Sequence, residues 1–568
     1  MQNAYILRRK TLMISPLFIK FRSAKKFPYI YDALSGEIVR VSEEMFLVAD
    51  DYHVLPYGQI KKKYTKDYGE KSIDLALKNF DALQKRSIFL DHKPIIPENT
   101  DYIQQDGVLS EFGEYLESEC DRLVLNITNR CNLKCEYCTG RTSTPCSNEE
   151  NASNLTMSFE TACRAISDFM ARCSKSPAIS IYGGEPLLEF DLVREIIRFS
   201  ESHAKELGID IKFGLVTNGT LLSKEVARYL VEHNVRVIVS LDGPEELHNR
   251  YRVFPHENCH EKRGSFDTVM HNVNSFIETY PNYRNRGFNA VLAFPLNLKA
   301  VNDFFKPLSL FFPQIRIFPV KQRIPHIMES IGFPLYRRIG HCDKGCSMPT
   351  DGCLDSCCNQ SSWSQTDDDL KEYSAFYDDF IDLVMRKGYE FASREIPIFA
   401  DSVLTNLVMV HLRPMYGSQQ PLLHVPCPVG RIQIYCNTDG AYYPCEKIDV
   451  LPNNESFFSL GNAQTGFASQ KSIAILNTFT LMSDCGNCVA RRMCTICPSY
   501  IKHLHDSSLN GDEFLFQCGM MRQSAKKIIA VYTSIMEQYP HFFDSMDPEI
   551  MLNIRRKGFT AIKKSSLP

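Results

Sequence analysis

The sequence predicts an α/β protein: a partial (β/α)6 barrel, preceded by a winged-helix-like module and followed by a cysteine-rich domain. Three features lead there. Short β-rich runs alternate with helical segments between residues 121 and 335, the alternation breaks after about 336, and a strand–turn–strand–helix pattern occupies the first hundred residues. The β-rich runs are 123–128 (LVLNIT), 178–182, 211–217, 235–241, 288–294 and 315–320. Helical segments at 158–172, 191–206, 222–233 and 265–280 fall between them. Such alternation implies a parallel sheet with helices outside it. Six units make an open or partial barrel, whose chemistry is expected on loops at the C-terminal strand ends.

In the N-terminal module, FPYIYDALSGEIVRVSEEMFLVADDY (27–52) reads as strand, turn, strand and helix. Ser35-Gly36 supplies the turn, and YIY faces IVRV across it. Ile73, Leu77, Phe80 and Leu83 recur at helical spacing over 70–87. The resulting division is module 16–98, linker 99–120, barrel 121–335, cysteine-rich insertion and helical bridge 336–425, a second cysteine-rich domain 426–525, and a C-terminal helix and tail 526–568. An acidic helix is expected over 367–388 and another helix over 519–538, with 427–518 rich in loops.

At 568 residues the chain is too long for one core. Its 44% hydrophobic and 23% charged residues are ordinary for a globular protein. A net charge of -3 leaves no footprint for nucleic acid or for an anionic membrane. No apolar run approaches the roughly 20 residues needed to span a bilayer. Arg8, Arg9 and Lys10 are followed by no apolar stretch with a cleavage site, so the expected location is the cytoplasm. The anomaly is 21 cysteines. In a reducing compartment, clustered cysteines bind metal or do chemistry more often than they form disulfides.

CNLKCEYC places Cys131, Cys135 and Cys138 in a C-x3-C-x2-C loop directly after the first barrel strand. Three thiolates on one loop can hold a four-iron cluster by three irons and leave the fourth open; the spacing alone suits zinc or a structural role equally. Gly183-Gly184-Glu185-Pro186 follows the second strand, Thr217-Asn218-Gly219 the third, and Ser240-Leu241-Asp242-Gly243-Pro244 the fourth. The glycines permit close backbone approach, and Glu185 offers an acceptor for an ammonium group.

These four motifs, in order on successive strands, resemble the radical S-adenosylmethionine (SAM) superfamily. The resemblance implies that SAM chelates the open iron of a [4Fe–4S] cluster on Cys131, Cys135 and Cys138. It places Tyr137 beside adenine, Gly183, Gly184 and Glu185 at the amino group, and Ser240 at the ribose, with Asn218 and Asp242 shaping the pocket. Arg252, in HNRYR (248–252), is a candidate for the SAM carboxylate or the substrate; Arg263 competes for that role, and a surface ion pair explains Arg252 equally well.

Cys427, Gly440, Cys445, Cys485, Cys488, Cys494, Cys497 and Cys518 form a second array. It resembles the SPASM extension of radical SAM enzymes, except that two rather than three residues separate Cys494 from Cys497. By resemblance, Cys485, Cys488, Cys494 and Cys518 hold one auxiliary cluster and Cys427, Cys445 and Cys497 another, making three [4Fe–4S] clusters in all. The remaining ligand is Cys436, or the position is open to a substrate thiolate. Paired C-x2-C units also bind zinc, the main competing explanation. Glu446, next to Cys445, is a candidate general base, with a plain surface glutamate as the alternative.

The N-terminal module resembles the leader-recognition domains of peptide-maturing radical SAM enzymes, in which a leader adds a strand to a sheet edge at 38–41 or 29–32. Residues 426–448 and CGNCVARRMCTIC look closest to maturases of cysteine-rich ribosomal peptides. The activity this implies is thioether or related crosslink formation on a precursor peptide, fed by a flavodoxin- or ferredoxin-type donor in an oxygen-avoiding bacterium. Formylglycine formation of the sulfatase-maturating kind is the second reading, and a zinc-stabilised peptide-binding protein the third. Cys342, Cys346, Cys353, Cys357 and Cys358 match no familiar site, and Cys120, Cys146, Cys163, Cys173 and Cys259 read as isolated buried thiols.

Overall fold

The computed structural model describes residues 17–89, 120–138, 156–255, 263–319, 367–412, 429–448, 458–475, 488–494 and 511–544, apart from a few positions inside those spans. The first span holds strands β1 (Phe18–Arg22), β2 (Pro28–Asp32) and β3 (Ile38–Arg40), paired antiparallel in that order. Helices α1 (Glu43–Val48), α2 (Tyr57–Tyr68) and α3 (Glu70–Lys85) follow. Ser42 starts α1 by accepting the Met45 N–H. Ile30, Val48, Ile60, Ile73, Leu77 and Phe80 share one core on the helix side of this sheet. The Ser35-Gly36 turn is present, with Tyr31 opposite Ile38. However, β2 is the central strand, so 29–32 has both edges paired and cannot accept an added peptide; only 38–40, of the two segments expected, lies on an edge. Strand β1, which the sequence reading omitted, occupies the other edge.

Six parallel strands build the barrel: β4 (Cys120–Asn126), β5 (Cys173–Tyr182), β6 (Lys212–Thr217), β7 (Arg236–Ser240), then β10 (Arg286–Leu292) and β11 (Gln314–Pro319), with the short pair β8 (Val253–Phe254) and β9 (Arg263–Gly264) between. The crossovers carry α4 (Phe159–Met170), α5 (Phe190–Leu207), α6 (Lys224–Glu232), α7 (Glu245–Tyr251), α8 (Phe266–Thr279) and α9 (Leu298–Leu308). Ser158, Ser223 and Asn297 cap α4, α6 and α9, while Gly208 ends α5 in the left-handed conformation. Alternate strand residues such as Leu123, Leu125, Ile179, Ile181, Val237 and Val239 meet the helices in the main core.

The sheet does not stop at β4. Strands β12 (Ile434–Cys436) and β13 (Tyr442–Tyr443) continue it, β12 parallel to β4 with Tyr435 beside Val124. Part of the region expected to be loops is therefore a hairpin that extends the barrel wall. A second hairpin, β14 (Gly461–Asn462) and β15 (Gly466–Phe467), lies beyond it. Helices α10 (Asp367–Lys387), α11 (Tyr389–Glu395) and α12 (Pro397–Leu412) follow β11 in sequence, and α13 (Gly511–Gln538) begins earlier than expected. Among the described residues no helix is long and apolar enough to cross a membrane.

The N-terminal sheet is fastened to this body. Ile19, Phe21, Tyr29, Tyr31 and Ala33 pack with Ile529 of α13. Tyr29 donates to Glu537 at 2.7 Å, and Arg492 donates to the carbonyls of Ala33 (3.1 Å) and Leu34. Removing the buried Ile529 side chain should therefore loosen both partners. Ile529→Ala is expected to cost about 2–5 kcal/mol in anaerobic urea unfolding; an unchanged midpoint would contradict the docking.

Candidate active site

The C-x3-C-x2-C loop leaves β4 and is pressed onto the turn after β5. Gly184 N donates to Thr128 O at 2.7 Å, and Glu185 N to Arg130 O at 2.8 Å. A Cβ at Gly183 would lie 2.5 Å from Thr128 O, and one at Gly184 2.2 Å from Arg130 O. The glycines thus admit the stem of the cysteine loop itself.

Glu185 is fully buried and faces the neighbouring strand end. One oxygen accepts from Leu187 N (3.0 Å) and Thr217 Oγ1 (2.7 Å), the other from Asn218 N (2.6 Å). Burial pushes its carboxyl up to about 7 despite these donors, which pull the other way. These bonds tie the ends of β5 and β6 together.

Asn218 continues the tie. Its Nδ2 donates to Asn132 Oδ1 at 2.8 Å and to Cys131 Sγ at 3.9 Å, and its Oδ1 accepts from Thr220. Leu133 N also donates to Cys131 Sγ, at 3.4 Å. On the other side, Asp242 accepts from Arg252 Nε at 2.9 Å, from the Tyr137 hydroxyl, and from Val291 N at 2.9 Å. The Arg252 guanidinium lies 5.4 Å from the Tyr137 ring centre and donates to Cys135 Sγ at 3.9 Å. Arg252 is therefore a buried member of the cysteine loop's support, which removes the surface ion-pair explanation. Arg263 sits exposed on β9 over Phe254. His248, buried against Ser265 and pushed down to about 4 by burial, completes this wall. Ser240 ends β7 on the face away from the helix core.

Burial pushes Cys135 up to about 12, opposed chiefly by Arg252 and reinforced by the charges of Cys138 and Cys131. A bare thiolate is disfavoured there, whereas coordination to iron deprotonates a thiol outright. Among the described residues no group of three or more His, Cys, Asp or Glu side chains is gathered to hold a lone metal ion. A cubane spreads its thiolates over separate irons, and N–H donors at the Cys131 and Cys135 sulfurs are the setting such ligands use. The residues fit a cluster held by Cys131, Cys135 and Cys138.

Glu446 follows β13 and receives Gln433 Nε2 at 3.1 Å. Its charge is felt by Tyr182 at the end of β5, by Tyr435 on β12 and by Arg122 on β4, which places it at the barrel interior. Tyr182, Tyr435 and Arg122 went unnoticed in the sequence; the β4–β12 pairing that gathers them is a contact between distant segments. Cys436 points to the helix side of the sheet, where burial and the charges of Asp439 and Asp168 push its thiol up. Cys445, Cys488 and Cys494 are partly buried thiols. Cys427, Cys485 and Cys497, the side chain of Cys518, and the group Cys342, Cys346, Cys353, Cys357 and Cys358 lie outside the described residues. Of the isolated cysteines, Cys120 is buried and Cys163 and Cys173 partly so, while Cys146 and Cys259 also lie outside them.

Two outcomes follow. Asp242→Asn releases both Tyr137 and Arg252, and is expected to raise the rate at which an alkylating reagent reaches Cys135 in iron-free protein; an unchanged rate contradicts the support role. Because the Glu185 carboxyl is raised on folding, its contribution is fully present below about 4.5 and is lost as pH rises through about 7. Wild type should therefore lose stability relative to Glu185→Gln across that window, read by thermal unfolding at each pH.

Residues 125–306 match the Radical SAM superfamily. Over 152 residues the chain is 30% identical to a cysteine-type anaerobic sulfatase-maturating enzyme of Clostridium novyi, covering 27% of this chain and 38% of that enzyme. Over 302 residues it is 24% identical to the radical SAM cyclopropyl synthase TigE of Paramaledivibacter caminithermalis, covering 51% of this chain and 58% of that enzyme. The matches thus span less than two thirds of either relative. Native anSMEcpe with bound AdoMet superposes with a TM-score of 0.50 at 19% identity, over 72% of this chain and 99% of that one, a likeness of fold. With its cysteine loop, double glycine and strand-end ties in their places, the segment 125–306 is a radical SAM domain.

Proposed function

We propose that the chain is a peptide maturase that takes a hydrogen atom from a ribosomally made peptide and joins a cysteine sulfur to carbon, as a thioether or related crosslink. The observation that carries this reading is the N-terminal sheet. Its β3 edge belongs to a module fastened to α13 and to Arg492 between Cys488 and Cys494, so a leader added as a strand would be tethered to the body that holds the site. SAM and its cluster on Cys131, Cys135 and Cys138, when bound, supply hydrogen-atom abstraction.

The chain's own residues do the rest. Tyr137, Asp242, Arg252 and Asn218 hold the cysteine loop, and Gly183, Gly184 and Glu185 fix its height. Ser240 is proposed to meet the SAM ribose. Glu446, at the barrel interior, accepts the proton from the attacking thiol. In the net change a C–H and an S–H bond break and a C–S bond forms. The hydrogen atom ends on the adenosyl fragment of SAM, the proton on Glu446, and one electron leaves. We assign Cys427, Cys445, Cys485, Cys488, Cys494, Cys497 and Cys518 to two auxiliary clusters, whose chemistry is one-electron acceptance. Cys436, buried beside two carboxylates, is left out of that set, and the position is open to substrate. A low-potential flavodoxin or ferredoxin is the proposed donor.

The sulfatase-maturating relative favours a second reading, oxidation of a cysteine or serine to formylglycine. The test is the reduced enzyme with SAM and a deuterated cysteine-rich peptide encoded beside its gene. Deuterium in 5′-deoxyadenosine and a peptide lighter by two hydrogens, with sulfur retained and no free aldehyde, supports the crosslink. Loss of sulfur or a new aldehyde supports formylglycine, and no deuterium transfer contradicts both. Glu446→Gln is expected to slow turnover about 10²- to 10⁴-fold.

A further inference from the structure

Three arginines face the interior of the barrel below the cysteine loop. On β4, Leu123 and Leu125 join the helix-side core, which turns Arg122, Val124 and Asn126 inward. On β7, Val237 and Val239 do the same and turn Arg236 inward. On β11, Ile315 and Ile317 leave Arg316 inward, level with Asn289 of β10. The three guanidinium groups are near enough to repel one another: burial, then Arg316 and Arg122, pull Arg236 down to about 10, and burial, then Arg316, lower Arg122.

Their compensation is incomplete. Asp401, on α12, lies 3.5 Å from Arg316 and also accepts from Gln314 at 2.9 Å. Its charge reaches Arg236, and those of Glu446 and Asp121 reach Arg122, but neither arginine forms an ion pair within 4 Å among the described residues. The Arg122 Nε and Asn289 Oδ1 atoms are buried without a hydrogen-bond partner. Like charges gathered in a barrel interior, with polar atoms unused, are costly for stability and are the setting in which a ligand's opposite charge is well placed.

We propose that Arg122, Arg236 and Arg316 form a carboxylate-binding subsite at the floor of the barrel, which takes an acidic group of the substrate peptide. The subsite lies near Glu446, whose charge is felt by both Arg122 and Tyr182. A guanidinium fork matches a carboxylate, so the subsite selects peptides by charge. This rests on the reading of the chain as a peptide-modifying enzyme, but its test requires no turnover.

Binding to the anaerobically purified full chain is measured by calorimetry with three probes: acetyl-Gly-Glu-Gly-amide, acetyl-Gly-Gly-Gly with a free terminal carboxylate, and the neutral acetyl-Gly-Gln-Gly-amide. At least one acidic probe is expected to bind about tenfold or more tightly than the neutral one. Which of the two does so identifies the carboxylate as side-chain or terminal. Arg236→Gln and Arg122→Gln should each bring acidic and neutral probes to parity, and relief of repulsion should leave their probe-free melting temperatures no lower than wild type. Equal binding of all three probes by wild type, or an acid preference that survives in both variants, overturns the subsite. Either result leaves the deuterium-transfer test of the peptide reading untouched.

Discussion

The contact on which the site depends is backbone against backbone. The stem of the cysteine loop, Thr128 to Arg130, lies on Gly183 and Gly184 with no room for a side chain between them. That contact sets the height at which Cys131 leaves β4. Glu185 then carries the constraint sideways, since its two oxygens are held by Leu187, Thr217 and Asn218. Burying a carboxylate is costly, and hydrogen bonds to a charged group are worth about 1.5–3 kcal/mol each, so the three donors offset much of that cost. The result is a rigid base formed by the ends of three adjacent strands.

Two further ties position the thiols on that base. Asn218 reaches Cys131, and the Asp242–Arg252–Tyr137 group reaches Cys135. Each tie comes from a different strand end, so no single loop has to define the site. A site held in this way is organised before any cofactor arrives. The C-terminal region contributes in the same manner: β12 and β13 add to β4 and carry Glu446 to the interior, while α13 and Arg492 fasten the N-terminal sheet.

The barrel was legible because each parallel strand is buried on its helix side and each helix is amphipathic, a pattern that local sequence records. The cysteine loop and the double glycine were legible because their residue types answer a local demand. What escaped was set by distant partners. Strands β12 and β13 are short, and β12 is held by pairing with β4 while β13 pairs with β12; Asn126 and Asn437, 311 positions apart, are joined at 3.0 Å. Glu185, Asn218 and Arg252 were singled out by their motifs, but the bonds they make to Thr217, Asn132 and Asp242 were not legible, because a sequence shows which polar groups exist but not which neighbours they meet. The segment 29–32 read as a free edge for a related reason: β1 pairs with it from beyond the predicted hairpin.

The central claim is that Cys131, Cys135 and Cys138 hold a cluster. The most direct measurement is iron and acid-labile sulfide per chain after anaerobic purification, for wild type and for Cys131→Ala/Cys135→Ala/Cys138→Ala. The account predicts that the variant loses about four irons with matching sulfide. Equal iron in the two proteins, or zinc in place of iron, would contradict it.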